Sequence, residues 1–251
     1  MPNPFFWYEL MTPDVPAAAE FYADVVGWNT EAFQGGEGYT IVKAGTTDVG
    51  GMMGIPAEAA GMPPCWMGYL YTPDVDAATD ALTAAGGAIL RPATDIPGVG
   101  RFSVVADPQG AAFMMMAPKG DAPLEKPDPA APGQVGWREL YAGDWEKAFD
   151  FYAAQFGWTK ADAIDMGPMG TYQLFNAGPD QMGGMMTKPA EMPMPFWLFY
   201  FNVPALDAAI ARATARGAKM LNEPMEVPGG GFVVQAMDPQ GAMFALAAPR
   251  R

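Results

Sequence analysis

The sequence predicts an α+β fold built twice over, with helices on one side of mixed, mostly antiparallel sheets. Three observations predict it. First, the second half of the chain repeats the first in unbroken order. "WYELMTPDVPAAAEFYADVVGW" (7–28) aligns with "WRELYAGDWEKAFDFYAAQFGW" (137–158), and "YTIVKAGTTDVGGMM" (39–53) with "YQLFNAGPDQMGGMM" (172–186). "DAATDALTAAG" (76–86) aligns with "DAAIARATARG" (207–217), and "DPQGAAFMMMAP" (107–118) with "DPQGAMFALAAP" (238–249). The offset stays at about 130 residues, the signature of a tandem duplication. Second, apolar runs of strand character alternate with segments apolar at helical spacing. Third, each half closes on a "DPQG" turn between two apolar runs, which reads as a hairpin.

The elements follow in order. Residues 5–11 form an apolar strand. Asp14 can cap a helix, Pro16 falls in its first turn and Gly27 can stop it. Ala18, Phe21, Tyr22 and Val25 recur at helical spacing and would be its buried stripe. Two short strands follow around 39–43 and 49–54, the second carrying "VGGMM", where glycine permits close approach. The pattern then restarts: a strand at 66–74, a helix at 76–85 ending at Gly86, and strands at 101–106 and 112–117 flanking "DPQG". The second repeat follows the same plan. "KGDAPLEKPDPAAPGQ" (119–134) has the Pro, Asp and Ala composition of an extended linker. The domains are therefore 1–120 and 134–251, joined by a linker at 121–133.

Composition narrows the function. The 251 residues are 50% hydrophobic, enough for one large domain or two of ordinary size. Only 17% are charged, yet the balance is −14, which repels phosphate and argues against nucleic acid and anionic membranes as partners. Cys65 is the single cysteine, so no intramolecular disulfide can form. "MPNPFFWYEL" lacks the basic start and apolar core of a signal peptide, and "PFWLFYFNVP" is too short for a membrane helix. The expectation is a cytoplasmic protein. The chain has no histidine, which removes Ser-His and Cys-His nucleophiles and imidazole metal sites. Acid–base chemistry falls to Asp, Glu, Tyr, Lys or Cys65.

The ordered set of Phe21, Tyr22, Gly27 and Trp28, the second start "TPDVDAA" and the closing "DPQG", present in both halves, resembles the vicinal oxygen chelate superfamily. That group includes glyoxalase I, bleomycin-resistance proteins and extradiol dioxygenases. The resemblance implies two tandem glyoxalase-like domains, each of two βαβββ modules whose curled sheet forms a cup. It also implies metal-ligand positions on the first strand, on the equivalent strand of the second module, and on the last strand. Here those positions fall on Trp7, Met67 and Met114 in the first repeat, and on Trp137, Leu198 and Ala245 in the second. None of these suits Zn²⁺, Fe²⁺ or Mg²⁺, so no metal or other cofactor is expected.

The first strands, "FFWYELMTPD" (5–14) and "VGWRELYAGD" (135–144), each carry one carboxylate in an apolar run. Side chains two apart on a strand share a face. If Trp7 faces the cup, so does Glu9, and Glu139 accompanies Trp137. Tyr69 then joins Met67, Tyr200 joins Leu198, Met116 joins Met114, and Ala247 joins Ala245. Each set is apolar with one carboxylate and one phenol, the makeup of a small-molecule site. Glu9 and Glu139 are the candidate general bases or ligand acceptors, and the remaining ten residues the candidate ligand contacts. A carboxylate there can instead be structural, and the tyrosines can be plain core.

Three functions fit. One is a glyoxalase- or bleomycin-resistance-like protein holding a small, largely apolar molecule in a metal-free cup. Another is a metal-independent lyase or isomerase with a cavity glutamate as general base. The last is a degenerate scaffold acting through protein contacts. The expected partner is a small molecule, with the chain a monomer or weak homodimer, since fusion of two repeats replaces a dimer contact.

Overall fold

The computed structural model describes residues 3–36, 38–120 and 128–251. Residues 121–127 of the expected linker lie outside the described residues.

The first repeat opens with strand β1 (Phe5–Thr12) and helix α1 (Val15–Val26), followed by β2 (Asn29–Ala32), β3 (Tyr39–Ala44) and β4 (Thr47–Gly54). Its second module is β5 (Cys65–Tyr71), α2 (Val75–Ala84), β6 (Ala88–Ile96), β7 (Gly100–Ala106) and β8 (Ala112–Pro118). The second repeat runs β9 (Val135–Ala142), α3 (Trp145–Phe156), β10 (Thr159–Asp165), β11 (Thr171–Ala177) and β12 (Asp180–Thr187). It then continues with β13 (Phe196–Asn202), α4 (Leu206–Ala215), β14 (Lys219–Met220), β15 (Met225–Val227), β16 (Gly231–Met237) and β17 (Met243–Ala248). The α+β class and the repeated strand–helix–strands order are as the sequence predicts. None of these helices is long and apolar enough to cross a membrane.

The local causes are those read from sequence. The Asp14 side chain accepts from the Ala17 N–H, and Gly27 closes α1 in the left-handed region at φ 89°. Asp144 caps α3 by accepting from the Glu146 and Lys147 N–H groups, and Gly157 closes it. Ala18, Phe21, Tyr22 and Val25 are all buried. Helix α4 departs from the pattern. Its cap position is Ala205, which offers no side-chain acceptor.

The compact units do not follow the repeats. One comprises Met1–Phe6, Met67–Leu124 and Trp137–Trp197, and the other Trp7–Trp66, Glu125–Gly136 and Leu198–Arg251. Each unit therefore joins one module from each repeat.

In the first unit, β5 pairs parallel with β8, β8 antiparallel with β7, and β7 with β6. Likewise β9 pairs parallel with β12, β12 antiparallel with β11, and β11 with β10. The "DPQG" turn of the first repeat joins the two modules. Tyr152 donates from Oη to Asp107 Oδ2 at 3.2 Å while accepting from Trp197 Nε1 at 3.1 Å. Gln109 forms an amide clamp on the α3 cap. It accepts from the Asp144 N–H at 2.6 Å and donates to the Asp144 carbonyl at 2.9 Å. Phe113 packs on Tyr152 and Phe156.

The second unit repeats this chemistry with the repeats exchanged. There β4 pairs parallel with β1, β3 antiparallel with β4 and β2 with β3, while β13 pairs parallel with β17 and β16 lies between β17 and the short β14 and β15. Tyr22 donates to Asp238 Oδ2 at 3.0 Å and accepts from Trp66 Nε1 at 2.8 Å. Gln240 clamps the Asp14 backbone through bonds of 2.9 and 2.8 Å. Phe21 and Tyr22 pack edge-on against Phe244, and Trp28 against Phe201. Arg212 donates to the Asp24 and Val25 carbonyls, satisfying the open end of α1. The "DPQG" motif is thus more than a turn. Its Asp and Gln bind the tyrosine and the helix cap of the other repeat.

Candidate functional site

Each first-module strand face carries the same three polar groups in sequence. In the second unit, Trp7 Nε1 donates to Tyr39 Oη at 2.9 Å, and the Tyr39 hydroxyl is hydrogen-bonded to Glu9. In the first unit, Trp137 Nε1 donates to Tyr172 Oη at 2.7 Å, and that hydroxyl is hydrogen-bonded to Glu139. Glu9 is 4% exposed and Glu139 6%, whereas both tryptophans are half-buried. One phenol thus touches both the indole and the carboxylate, so Trp and Glu share a face in each unit.

The backbone explains how the tyrosine reaches so far. Glu9 lies opposite Gly51 on β4, and Gly51 opposite Ile41 on β3. Tyr39, two residues before Ile41, lays its ring across Gly51 toward β1. A Cβ at Gly51 would collide with that ring, and one at Gly184 with the Tyr172 ring. Gly50 and Gly183 are required for a different reason: a Cβ there would strike the Tyr8 or Arg138 carbonyl of the neighbouring strand. Each "GG" therefore lets two strands close and opens a floor for an aromatic ring. The same face carries Met11, Ile41 and Met53 in the second unit, and Tyr141, Leu174 and Met186 in the first, by register. Phe196 stacks on Tyr141 at 5.1 Å.

Burial pushes both phenols well above the ordinary tyrosine range, and the negative Glu9 or Glu139 pushes in the same direction. Both stay protonated as donors. They are anchors for the carboxylates and not bases themselves. Cys65 lies near the same carboxylate; burial first, then the charge of Glu9, raises its thiol to about 11. Alkylation of Cys65 should accordingly be slow at pH 7 and climb toward pH 11. The Glu9→Gln variant should react faster at any fixed pH, because one cause of the shift is gone. Equal rates in the two proteins would break this link.

The remaining candidates divide between the units. Met67, Tyr69, Met114 and Met116 lie in the first, all buried, with Tyr69 opposite Met114 on paired strands. Tyr69 also meets the Phe102 ring, over which Arg91 lies at 5.1 Å. Leu198, Tyr200, Ala245 and Ala247 lie in the second, with Tyr200 opposite Ala245 and its hydroxyl accepting from Gln235 Nε2 at 3.1 Å. Tyr39 and Tyr172 were not singled out from sequence. The signal was present: they open the aligned segments 39–53 and 172–186. A cavity of about 190 Å³ in the second unit, lined by Phe21, Arg216 and Gln240, belongs to the α1 and α4 region, and none of the twelve sequence candidates lines it.

A model of the Glyoxalase/Bleomycin resistance protein/Dioxygenase superfamily matches residues 5–115 and 134–246. The chain belongs to this superfamily. Among its relatives, CFP32 of Mycobacterium tuberculosis (strain CDC 1551 / Oshkosh), provisionally named a glyoxylase, is 32% identical over 97% of this chain and 94% of that protein. The anthracycline biosynthesis protein DnrV of Streptomyces peucetius is 32% identical over 96% of this chain and 91% of its own length. Among solved structures, the Mn(II)-bound glyoxalase of Novosphingobium aromaticivorans superposes with a TM-score of 0.68 at 16% identity, over 99% of this chain and 82% of the other. That likeness shows the fold alone.

The Mn(II)-bound glyoxalase holds a metal; the donor set of this chain differs. The implied ligand positions hold indole, thioether and alkyl side chains, and the carboxylates beside them accept from tyrosine hydroxyls. Among the described residues no three His, Cys, Asp or Glu side chains converge. These residues do not fit a hard divalent ion.

Proposed function

We propose that this protein binds a small, largely apolar molecule without a metal ion, using Glu9 and Glu139 as the polar contacts. The observation that carries this reading is the Trp–Tyr–Glu chain, built in both units on an apolar strand face from the same segments of the two repeats. A carboxylate that only held a sheet together would not need a phenol carried across a glycine floor to orient it. The second reading is a lyase or isomerase in which one glutamate removes a proton from a bound carbonyl compound. The buried carboxylate favours it, since a fixed, desolvated carboxylate is what a general base requires. A scaffold acting through protein contacts draws support only from the absent ligand set.

The likeness to DnrV, named for anthracycline biosynthesis, makes polycyclic aromatic compounds the first to screen. A thermal-stabilisation screen should find ligands in the presence of EDTA. Glu9→Gln and Glu139→Gln should each weaken binding at one site by about 10-fold or more, as expected for losing a hydrogen bond to a charged group. Melting temperatures should change little. Lost stability with intact binding in both variants would make the carboxylates structural. Deuterium exchange from solvent into a bound carbonyl compound would favour the enzyme.

A further inference from the structure

We infer that the cavity enclosed by α1, the end of α4 and the second "DPQG" turn is a binding site for one small, neutral, single-ring apolar molecule, and that its occupant strengthens the junction of the two modules in the second unit. The site is separate from the strand faces that carry Glu9 and Glu139, and the inference does not depend on the binding reading above.

The walls come from small and ring-shaped side chains. Helix α1 contributes the methyl groups of Ala17 and Ala18 and the ring of Phe21, and the turn contributes Pro239. Short side chains on the helix leave about 190 Å³ open. Ala18 and Phe21 are buried while Ala17 and Pro239 are exposed, so the cavity has a closed back and an open front. Phe21 is held back from filling it by edge-on contacts with the Tyr22 and Phe244 rings at 4.9 and 5.7 Å. The space is therefore formed before any ligand arrives, which lowers the ordering cost of binding.

The polar side chains on the lining are already engaged within the unit. Asp238 accepts from three backbone N–H groups and from the Tyr22 hydroxyl. Gln240 accepts from the Asp14 N–H and the Thr12 hydroxyl, and donates to the Asp14 carbonyl. Arg216 at the mouth bridges to Asp24 and, at 3.6 Å, to Glu20. A charged occupant would give up hydration and find no open partner here. An apolar one gives up nothing of the kind. A cavity of about 150 Å³ with apolar walls takes up one benzene-sized molecule, and the present volume is of that order.

Position gives the site its consequence. Its lining joins α1, made early in the chain, to Arg216 and the turn at 238–240, made late. An occupant touches all three and is bound only when the two modules of the second unit are together, so it stabilises that union by mass action. The aligned positions of the other repeat differ where it matters. Lys147 stands for Ala17 and Ala85 for Arg216, changing both the wall and the mouth. One molecule per chain is expected.

Fluorobenzene titrated into the full chain, followed by fluorine NMR, tests the inference. It should bind at one site per chain, and at ten times its Kd the melting temperature should rise by about 3 °C or more. Amide exchange should slow in α1 and α4 and not in α2 and α3. Benzoate and benzylammonium, the same ring carrying a charge, should bind about 10-fold or more weakly. Ala17→Leu fills the open front and should weaken fluorobenzene binding by about 10-fold or more without lowering the melting temperature of the free protein. Ala17→Val, a smaller step, should give a smaller loss and keeps the test open if leucine disturbs α1. Glu9→Gln and Glu139→Gln should bind fluorobenzene as the parent does. Undiminished binding to both Ala17 variants, or loss of binding in either glutamate variant, would place the ring elsewhere and overturn the site. Equal binding of benzoate would overturn the selection for a neutral ligand, and exchange slowed equally in all four helices would overturn the effect on the junction. No binding at the limit of fluorobenzene solubility would refute the inference and leave the reading of Glu9 and Glu139 untouched.

Discussion

Replacing Gly183 with alanine should lower the melting temperature by about 10 °C, and Gly50→Ala should do the same. At both positions the new methyl would press on a carbonyl of the adjacent strand, Arg138 for Gly183 and Tyr8 for Gly50. These are parallel partners in register, Gly183 opposite Arg138 and Gly50 opposite Tyr8. A side chain can rotate out of the way, but a paired backbone cannot without parting the strands. Overpacking ordinarily costs about 1–3 kcal/mol, and an unyielding backbone places this case at about 3 kcal/mol or beyond. For a chain of this size each kcal/mol is worth about 2–4 °C. The neighbouring glycines make the control. Gly184→Ala would meet the Tyr172 ring, which can tilt away, so it should cost less stability and instead displace the hydroxyl from Glu139. A melt of Gly183→Ala indistinguishable from the parent protein would refute the close-approach account.

Asp238→Ala should destabilise the second unit by about 4 kcal/mol. The buried carboxylate accepts from the Gln240, Gly241 and Ala242 N–H groups at 2.9 Å each, and from Tyr22 at 3.0 Å. Truncation strands these donors in the interior, at about 1–3 kcal/mol for each group left unsatisfied, less what water can replace. Tyr22→Phe removes one hydroxyl and leaves the turn whole, so it should cost about 1 kcal/mol. Chemical denaturation of the two variants separates the turn from the phenol; equal losses would mean that the turn contributes nothing. The counterpart Asp107→Ala should act likewise in the first unit. There burial raises the Asp107 carboxyl above its ordinary value. A group raised on folding favours the folded state most when protonated. Its contribution is full below the unfolded value and fades as pH rises through the folded one. Acidification therefore does not unfold the protein through Asp107.

Much of this architecture was legible in the sequence because burial writes a period into it. The stripe of Ala18, Phe21, Tyr22 and Val25 and the caps Asp14 and Gly27 needed nothing beyond local rules. The strands missed were those with little to bury. Strand β2 is exposed along its whole length, and β6 is largely exposed and interrupted by Pro92, so neither carries an alternating pattern. Parity placed Trp7 and Glu9 on one face because side-chain alternation is a property of one strand. It could not deliver Tyr39, whose approach depends on β3, β4 and β1 lying in register with a glycine between. The pairing of "DPQG" with the opposite repeat was equally hidden. A polar side chain in a turn reads as a turn until its distant partner is known.

The exchange of modules between repeats also sets an order of events during synthesis. The segment Trp7–Trp66 is made well before the segment it packs with in the second unit, Leu198–Arg251. The bonds from Gln240 to Asp14 and from Asp238 to Tyr22 close over 226 and 216 residues of sequence. At about 5–20 residues per second, the early segment waits roughly ten seconds or more for its partner, its apolar strands meanwhile without their final neighbours. The first unit can close sooner, as soon as Trp197 has emerged. The first unit is thus complete before the second, and the strands of Trp7–Trp66 spend the longer time exposed to chaperones and to other chains.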